Sequence, residues 1–454
     1  MTSTRTSGDS RSEVFDIVGV GFGPSNLALA IAIEEHNAAS APEDRIRACF
    51  VERQDRFVWH PGMLLDGATM QIAFPKDLVT FRNPASTFSF FCYLFDKGRL
   101  VDFVNHQTFF PSRLEFNDYL QWAADRVDAD VRYGFTVTGV SGVRSAAGTV
   151  DEFTVAASDG RTLHARNIAV GAGLRERLPE WATPSPRCFH NHRFLFHLDQ
   201  MPEPRHQRFA VLGAGQSAAE VVQYLHRNHP QAEVHSVFSR YGYSPADDSP
   251  YANRIFDPAT VDEFHGASPD ERERLLGVHK GTNYSVVDID LINELYTAEY
   301  QELVSGRRRL FMHRASDIVS VQDGADGIEV AIRSNLDGLT DTLTCDALVL
   351  ATGFAPAPLD ELLGEFAPAC AVTDVDRDYR LGTPDDVRAG IYLQGGTEKT
   401  HGLTASLLSN VAIRSGEILN SIVVSRSARR DLDRVESSTG VDSTTNEFAT
   451  SEAK

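Results

Sequence analysis

The sequence predicts an α/β fold built from two Rossmann-like dinucleotide-binding domains and a smaller, mostly helical, substrate-binding insertion. Short β-branched runs alternate with longer amphipathic stretches, as strands and their covering helices do. Two of those runs lead directly into glycine turns about 190 residues apart, and residues 247–302 are richer in polar and helix-forming types. The strand candidates are residues 14–20, 48–52, 167–170, 209–212, 233–239, 347–351 and 391–394. Residues 1–13 and 425–454, rich in Ser, Thr and charge, are expected to be disordered tails. Residues 14–206 with 388–424 then form the first nucleotide domain, 207–254 with 305–387 the second, and 255–304 the insertion. Proline-rich stretches at 179–186 and 201–204 mark the expected crossings.

With 454 residues, 42% of them hydrophobic, the chain can bury the cores of two or three domains. Its net charge of −20 opposes nucleic acid or an anionic membrane surface as partner and suits a small cationic substrate. Cys49, Cys92, Cys188, Cys345 and Cys370 are scattered, with no C-x-x-C and no Cys/His ligand spacing. Neither a metal site nor a dithiol centre is expected. No signal core opens the chain and no run approaches the roughly 18 apolar residues of a membrane span, so the expected location is cytoplasmic.

The first turn reads F15-D-I-V-G-V-G-F-G-P-S-N, a strand, then glycines, then a helix with apolar residues at helical spacing. Gly19, Gly21 and Gly23 allow a tight turn and a close backbone approach to a pyrophosphate, whose charge sits on the helix N-terminus. Pro24 stands where a third fingerprint glycine would fall, and proline is well suited to the first helical position. Glu52 ends the next strand, 33 residues after Gly19, where a ribose hydroxyl is held.

The second turn, G213-A-G215-Q-S-A218, follows the fingerprint more closely. Its second strand ends at Ser239 and Arg240 without an acid, which favours the 2′-phosphate of NADPH over NADH. Two dinucleotide sites imply hydride transfer from NADPH to a flavin, which makes the first site one for FAD. The runs A347-L-V-L-A-T-G-F and I391-Y-L-Q-G-G read as returning strands, and the helix after T400-H-G-L presents its positive end to the flavin. Without a cysteine pair to reduce, oxygen is the expected electron acceptor, which points to a monooxygenase.

Five further motifs resemble the L-ornithine N5-monooxygenase family of siderophore-type N-hydroxylating flavoenzymes. They are F50-V-E-R-Q-D-R-F-V-W-H-P-G-M, M70-Q-I-A-F-P-K-D-L, D247-D-S-P-Y-A-N, H279-K-G-T-N-Y-S-V-V-D and H401-G-L-T-A-S-L-L-S, and the likeness spans roughly residues 14–422. It implies a homotetramer and the following cycle. NADPH reduces FAD, the oxidised nicotinamide stays bound, oxygen adds at the flavin C4a, and the side-chain amine of L-ornithine takes the distal oxygen, giving a product for siderophore or peptide assembly. It also implies site residues. The segment from Glu52 through Trp59 and His60, with Pro24, Asn26, Gln71, Val137, Ser406, Leu407 and Leu408, meets the FAD. Ala214, Gln216, Ser217, Tyr284 and Ser285 join Gly213, Gly215, Ser239 and Arg240 at NADPH. Lys76 takes the substrate carboxylate, Asn253 and Ser409 are further substrate contacts, and Asn283 and Gln71 are the catalytic amides. The family's phosphate arginine falls on Ser239 here, with Arg240 next along.

Blander roles are open to several of these residues. Lys76 stands beside Asp77 and can pair with it at a surface, while Asn253 and Asn283 suit turns or caps. Hydroxylation of lysine, another amine or a ketone is the alternative activity, and a non-catalytic FAD-binding redox sensor the alternative class.

Overall fold

The computed structural model describes residues 13–201, 208–282, 285–370 and 375–439. Two five-stranded parallel sheets organise it. The first runs, in spatial order, Gly390–Leu393, Asn167–Val170, Ile17–Val20, Ala48–Val51 and Asp130–Arg132. The second runs Cys188–His190, Ala347–Leu350, Arg208–Leu212, Glu233–Val237 and Leu310–His313. In each, the strand that feeds a glycine turn is central. The strands Ile17–Val20, Asn167–Val170 and Ala347–Leu350 are buried along their whole length, as a parallel sheet covered on both faces requires.

Each sheet carries the same attachment, an antiparallel meander placed immediately before the strand that returns beside the central one. Val137–Arg144, Val150–Ala157 and Thr162–Ala165 precede Asn167–Val170, and Ser316–Asp323, Ile328–Ser334 and Thr340–Cys345 precede Ala347–Leu350. One supersecondary plan is therefore used twice.

The expected strands are all present, with ends moved by one or two residues. Residues 14–20 divide into Val14–Phe15 and Ile17–Val20, because Asp16 exchanges hydrogen bonds with Arg47 instead of continuing the strand. Some segments lie elsewhere than expected. Cys188–His190 pairs with Ala347–Leu350 and so belongs to the second sheet. Leu363, Phe366, Leu381 and Val387 share the core of Val140, Phe153 and Val155, so the chain rejoins the first unit well before residue 388. The insertion is also divided. The helix Ile289–Ser305 buries Leu291 and Leu295 against Val221, Val222 and Leu225 and covers the second sheet, whereas Pro258–Gly266 and Pro269–Val278 pack on the turn Glu398–His401 of the first unit.

The helix Val411–Thr439 continues beyond the expected start of a tail at Ser425. Its apolar residues Ile418, Leu419 and Ile422 join the core of Leu27 and Ile31 on the helix Pro24–Ala39. Arg426 donates to the carbonyls of Asp44 and Arg45 at 2.9 and 2.7 Å, so charges that read as a tail are one face of a packed helix. Residues 1–12, 202–207 and 440–454 lie outside the described residues.

At Gly21 and Gly213 φ is +82° and +144°, and an added Cβ would stand 2.4 Å from the carbonyl oxygens of Gly171 and Ala351. At Gly23 it would meet nothing within 4 Å. Gly21→Ala and Gly213→Ala are each expected to destabilise by on the order of 2–4 kcal/mol, from backbone strain plus overpacking, and to add. Gly23→Ala is expected to melt like the parent. Thermal unfolding of the parent, the three single variants and the Gly21→Ala/Gly213→Ala double variant checks this, and an unchanged melting temperature for Gly21→Ala would contradict it.

Candidate active site

A cavity of about 3000 Å³ is lined from both units, by Gly21, Gly23 and Pro24 of the first turn and by Gln216 and Ser217 of the second. The first turn is built as a cradle. Gly21 gives the positive φ, Gly23 caps the helix, and Pro24 occupies its first position, leaving first-turn N–H groups without helical acceptors. The Glu52 carboxylate accepts from the backbone N–H of Phe22 at 2.8 Å and that of Gln54 at 2.9 Å, which fixes it beside the cradle. The open space at Gly23 and the acid beyond it suit a diphosphate followed by a ribose.

Two expected contacts of this cradle support it from beneath. Gly19 lies inside the strand, where an added Cβ would strike the Phe50 ring at 2.3 Å. Asn26 is buried, and its amide donates to the carbonyls of Gly21, Val20 and Ala169 at 2.7, 3.2 and 3.3 Å, tying the turn to the neighbouring strand. Val137, Trp59, His60, Gln71, Leu407 and Leu408 line the cavity. Ser406 stands in the adjoining turn Leu403–Ser406.

In the second turn Gly215 caps the helix Gln216–Asn228, and an added Cβ there would lie 3.4 Å from Ser285 Cα. Arg240 donates to the Ser285 carbonyl at 2.7 Å, so it reaches the loop beside the turn, although Ser239 and Arg240 are themselves exposed and outside the cavity lining. Gly213 and Ala214 shape the turn and do not line the cavity. Asn283 and Tyr284 lie outside the described residues.

Lys76, Asn253 and Ser409 line the same cavity, as does Gln71. Asp77 offers Lys76 nothing. It is buried, and its carboxylate accepts from Val79 N, Thr80 N, Phe90 N and Thr80 Oγ1 at 2.7 to 2.9 Å. Lys76 is half-buried, 6.0 Å from the Phe256 ring, and has no carboxylate within 4.0 Å among the described residues. Burial lowers its pKa, partly offset by the charge of Asp257. Asn253 spends its amide N–H on the Asp248 carbonyl at 2.7 Å and keeps Oδ1 as an acceptor. One unneutralised cation with an amide and a hydroxyl fits a small zwitterion.

His60 holds φ of 47°, a left-handed conformation, with Nδ1 3.3 Å from Nδ1 of His192. Burial, with the nearby His192 and Arg113, pushes its pKa down to about 4. It is therefore a neutral imidazole at neutral pH.

The link between the units joins two charges that no motif marks. Arg113 and Glu220 form a bidentate pair at 2.8 and 2.8 Å, with side chains 13% and 3% exposed. Arg113 also donates to the Met63 carbonyl at 3.2 Å, three residues after His60. Glu220 accepts from Gln216, whose Oε1 accepts from Asp288 N at 2.8 Å. A clamp thus runs from the wall of the first cradle to the helix of the second. Ser25 and Gln394 also line the cavity without having been expected to.

Residues 13–356 match the family model described as L-lysine 6-monooxygenase/L-ornithine 5-monooxygenase. The chain is 42% identical to the L-ornithine N(5)-monooxygenase of Burkholderia cepacia, over 86% of this chain and 90% of that one. It is 38% identical to that of Pseudomonas aeruginosa, over 90% and 94%. Among solved structures, an ornithine N-hydroxylase from Kutzneria sp. 744 with reduced FAD, NADP+ and L-ornithine superposes with a TM-score of 0.86 at 44% identity, covering 92% of this chain and all of that one. L-lysine 6-monooxygenase from Pseudomonas syringae superposes at 0.78 and 33%, covering 90% and 99%.

Two outcomes are expected from this geometry. His60 titrates near 4 in the folded protein and near 6.5 when released, so below pH 6.5 the unfolded chain binds the proton first and stability falls as pH drops towards 4. His60→Gln should make that acid limb shallower, and thermal melts across the window that matched the parent would contradict it. Arg113→Met should cost roughly 3–5 kcal/mol by stranding a buried Glu220, and adding Glu220→Leu should recover most of the loss. A double variant as unstable as Arg113→Met would contradict this.

Proposed function

The chain belongs to the L-lysine 6-monooxygenase/L-ornithine 5-monooxygenase family, and from that premise we infer that it is an FAD- and NADPH-dependent monooxygenase converting L-ornithine to N5-hydroxy-L-ornithine. The observation that carries this reading is the shared cavity, which collects the first glycine turn, Gln216 and Ser217 that follow the second, and an unneutralised lysine in one space. When bound, FAD supplies the redox chemistry, accepting hydride from NADPH and activating oxygen.

The residues supply placement. The cradle at Gly21, Gly23 and Pro24 takes the FAD diphosphate and Glu52 the adjoining ribose, with Val137 on the adenine side. Gly215, Gln216 and Ser217 take the NADPH diphosphate, and Arg240 with Ser239 and Ser285 the 2′-phosphate side. Lys76 neutralises the ornithine carboxylate, while Asn253 and Ser409 take its polar groups without adding charge. That anchoring leaves the side-chain amine as the free end. The amine attacks only when unprotonated, and an apolar lining that includes Trp59, Phe354, Leu407 and Leu408 favours its neutral form and keeps water out. Gln71 and Asn283 act as amide donors at the reacting end. No proton-transfer role falls to His60, which stays neutral.

The reading extends to a cytoplasmic homotetramer. Exposed Phe91, Phe95, Val101 and Val104 on neighbouring short helices support self-association, and no helix among the described residues is long and apolar enough to cross a membrane.

The deciding experiment compares NADPH consumed with hydroxylamine formed for ornithine and lysine. One methylene is worth about 1–3 kcal/mol in a pocket, so ornithine should be coupled and lysine largely uncoupled. Equal coupling with lysine would shift the substrate to the family's other half. Lys76→Met should raise KM for ornithine roughly 30-fold or more while flavin reduction by NADPH stays near normal, and a slowed reduction instead would misplace the residue.

A further inference from the structure

Arg414, in the first turn of the helix Val411–Thr439, is 2% exposed and among the most deeply buried side chains of the protein. Its Nε donates to Gln394 Oε1 at 3.0 Å, Nη1 to the Ala405 carbonyl, and Nη2 to Ser25 Oγ at 3.1 Å. Each acceptor is neutral. No carboxylate lies within 4.0 Å of the guanidinium among the described residues, and the nearby Glu417 is already held bidentately by Arg377 at 2.8 and 3.0 Å. Burial lowers the guanidinium pKa, an effect that Tyr379, Glu398 and Glu417 only oppose from a distance. A buried cation with neutral ligands alone is strongly unfavourable unless an anion arrives.

The hydrogen bonds indicate where that anion belongs. Ser25 is the second residue of the helix Pro24–Ala39 and lines the cavity next to the open backbone of Gly23. Since Arg414 donates to Ser25 Oγ, the hydroxyl proton is left for another acceptor. The Ser25 carbonyl receives Gln394 Nε2 at 3.2 Å and Ser415 Oγ at 3.4 Å, which fixes the residue from behind.

We propose that Arg414 is the internal counter-charge of the FAD diphosphate, acting through Ser25, whose O–H donates to a phosphate oxygen while the guanidinium compensates the charge from within the fold. This rests on the reading of the first cradle as the FAD site. Arg414 is a positioning residue, since it touches the cofactor only through Ser25.

The test titrates FAD into the full-length protein stripped of flavin and follows flavin fluorescence, with NADP+ affinity as the control at the other cradle. Arg414→Met should raise the FAD Kd about 10-fold or more, Arg414→Lys should lie between it and the parent, and NADP+ affinity should stay unchanged. Ser25→Ala, which leaves the core intact, should raise the Kd by less, and Arg414→Met with Ser25→Ala should add nothing to Arg414→Met alone. An FAD Kd for Ser25→Ala and Arg414→Met within about twofold of the parent, or a parallel loss of NADP+ affinity, would overturn the proposal while leaving the cradle assigned to FAD. A parent protein that takes up no FAD would overturn that assignment as well, and the two failures are distinct.

Discussion

Two backbone contacts set the rest of the molecule. At Gly21 and at Gly213 the chain leaves a central parallel strand with positive φ, and passes a carbonyl so closely that any side chain would stand 2.4 Å from it. Those carbonyls belong to Gly171 and Ala351, each the first residue after the strand that returns beside the central one. A turn that looks local in sequence is therefore closed only by a long-range strand pairing. The same closure brings Val170 and Gly171 to the cavity wall, and it makes each cradle a rigid product of its whole sheet.

Rigid cradles must also be held at a working distance from each other. The chain passes between the units through Leu174–Glu176 and Phe354–Pro356, which pair as a two-stranded antiparallel ribbon on the cavity. Beside this ribbon, the buried Arg113–Glu220 pair spans the units and connects through Gln216 to the loop that ends at Asp288. An ion pair of this kind adds little net stability over apolar residues of the same size. Its fork geometry fixes orientation, which is what transfer between two bound rings demands. The histidines that crowd the ribbon, His60 and His192, are kept neutral by burial, and so add no charge to the passage between the cradles.

The cradles and their strands were legible because glycine and proline act locally: Gly21 and Pro24 announce a turn and a helix start wherever they fall. Lys76 was named only through its place in the motif M70-Q-I-A-F-P-K-D-L, since its own context left a surface pair with Asp77 open, and the Asp77 carboxylate is instead saturated by three backbone N–H groups and a hydroxyl. What was not legible depends on distance along the chain. Arg113 and Glu220 are 107 residues apart and each reads as an ordinary helix-surface charge. Arg414 stands in V-A-I-R-S-G-E-I-L, where a charged residue reads as the solvated face of an amphipathic helix, and only the packing of that helix against Pro24–Ala39 makes it interior. The domain limits moved for the same reason, since Cys188–His190 and the residues around Phe366 take their places by pairing and packing with distant partners. Charge composition failed at the C-terminus, where Arg426 and Arg430 are bound to the loop at Glu43 and Asp44.

Whether both nucleotides meet in one cavity is decided by mixing the FAD-loaded protein with NADPH in the absence of oxygen and following the visible absorbance of the flavin. First-order bleaching at a rate that saturates with NADPH concentration, before any amine is added, is the expected result. Flavin that stays oxidised while NADPH is demonstrably bound would contradict it.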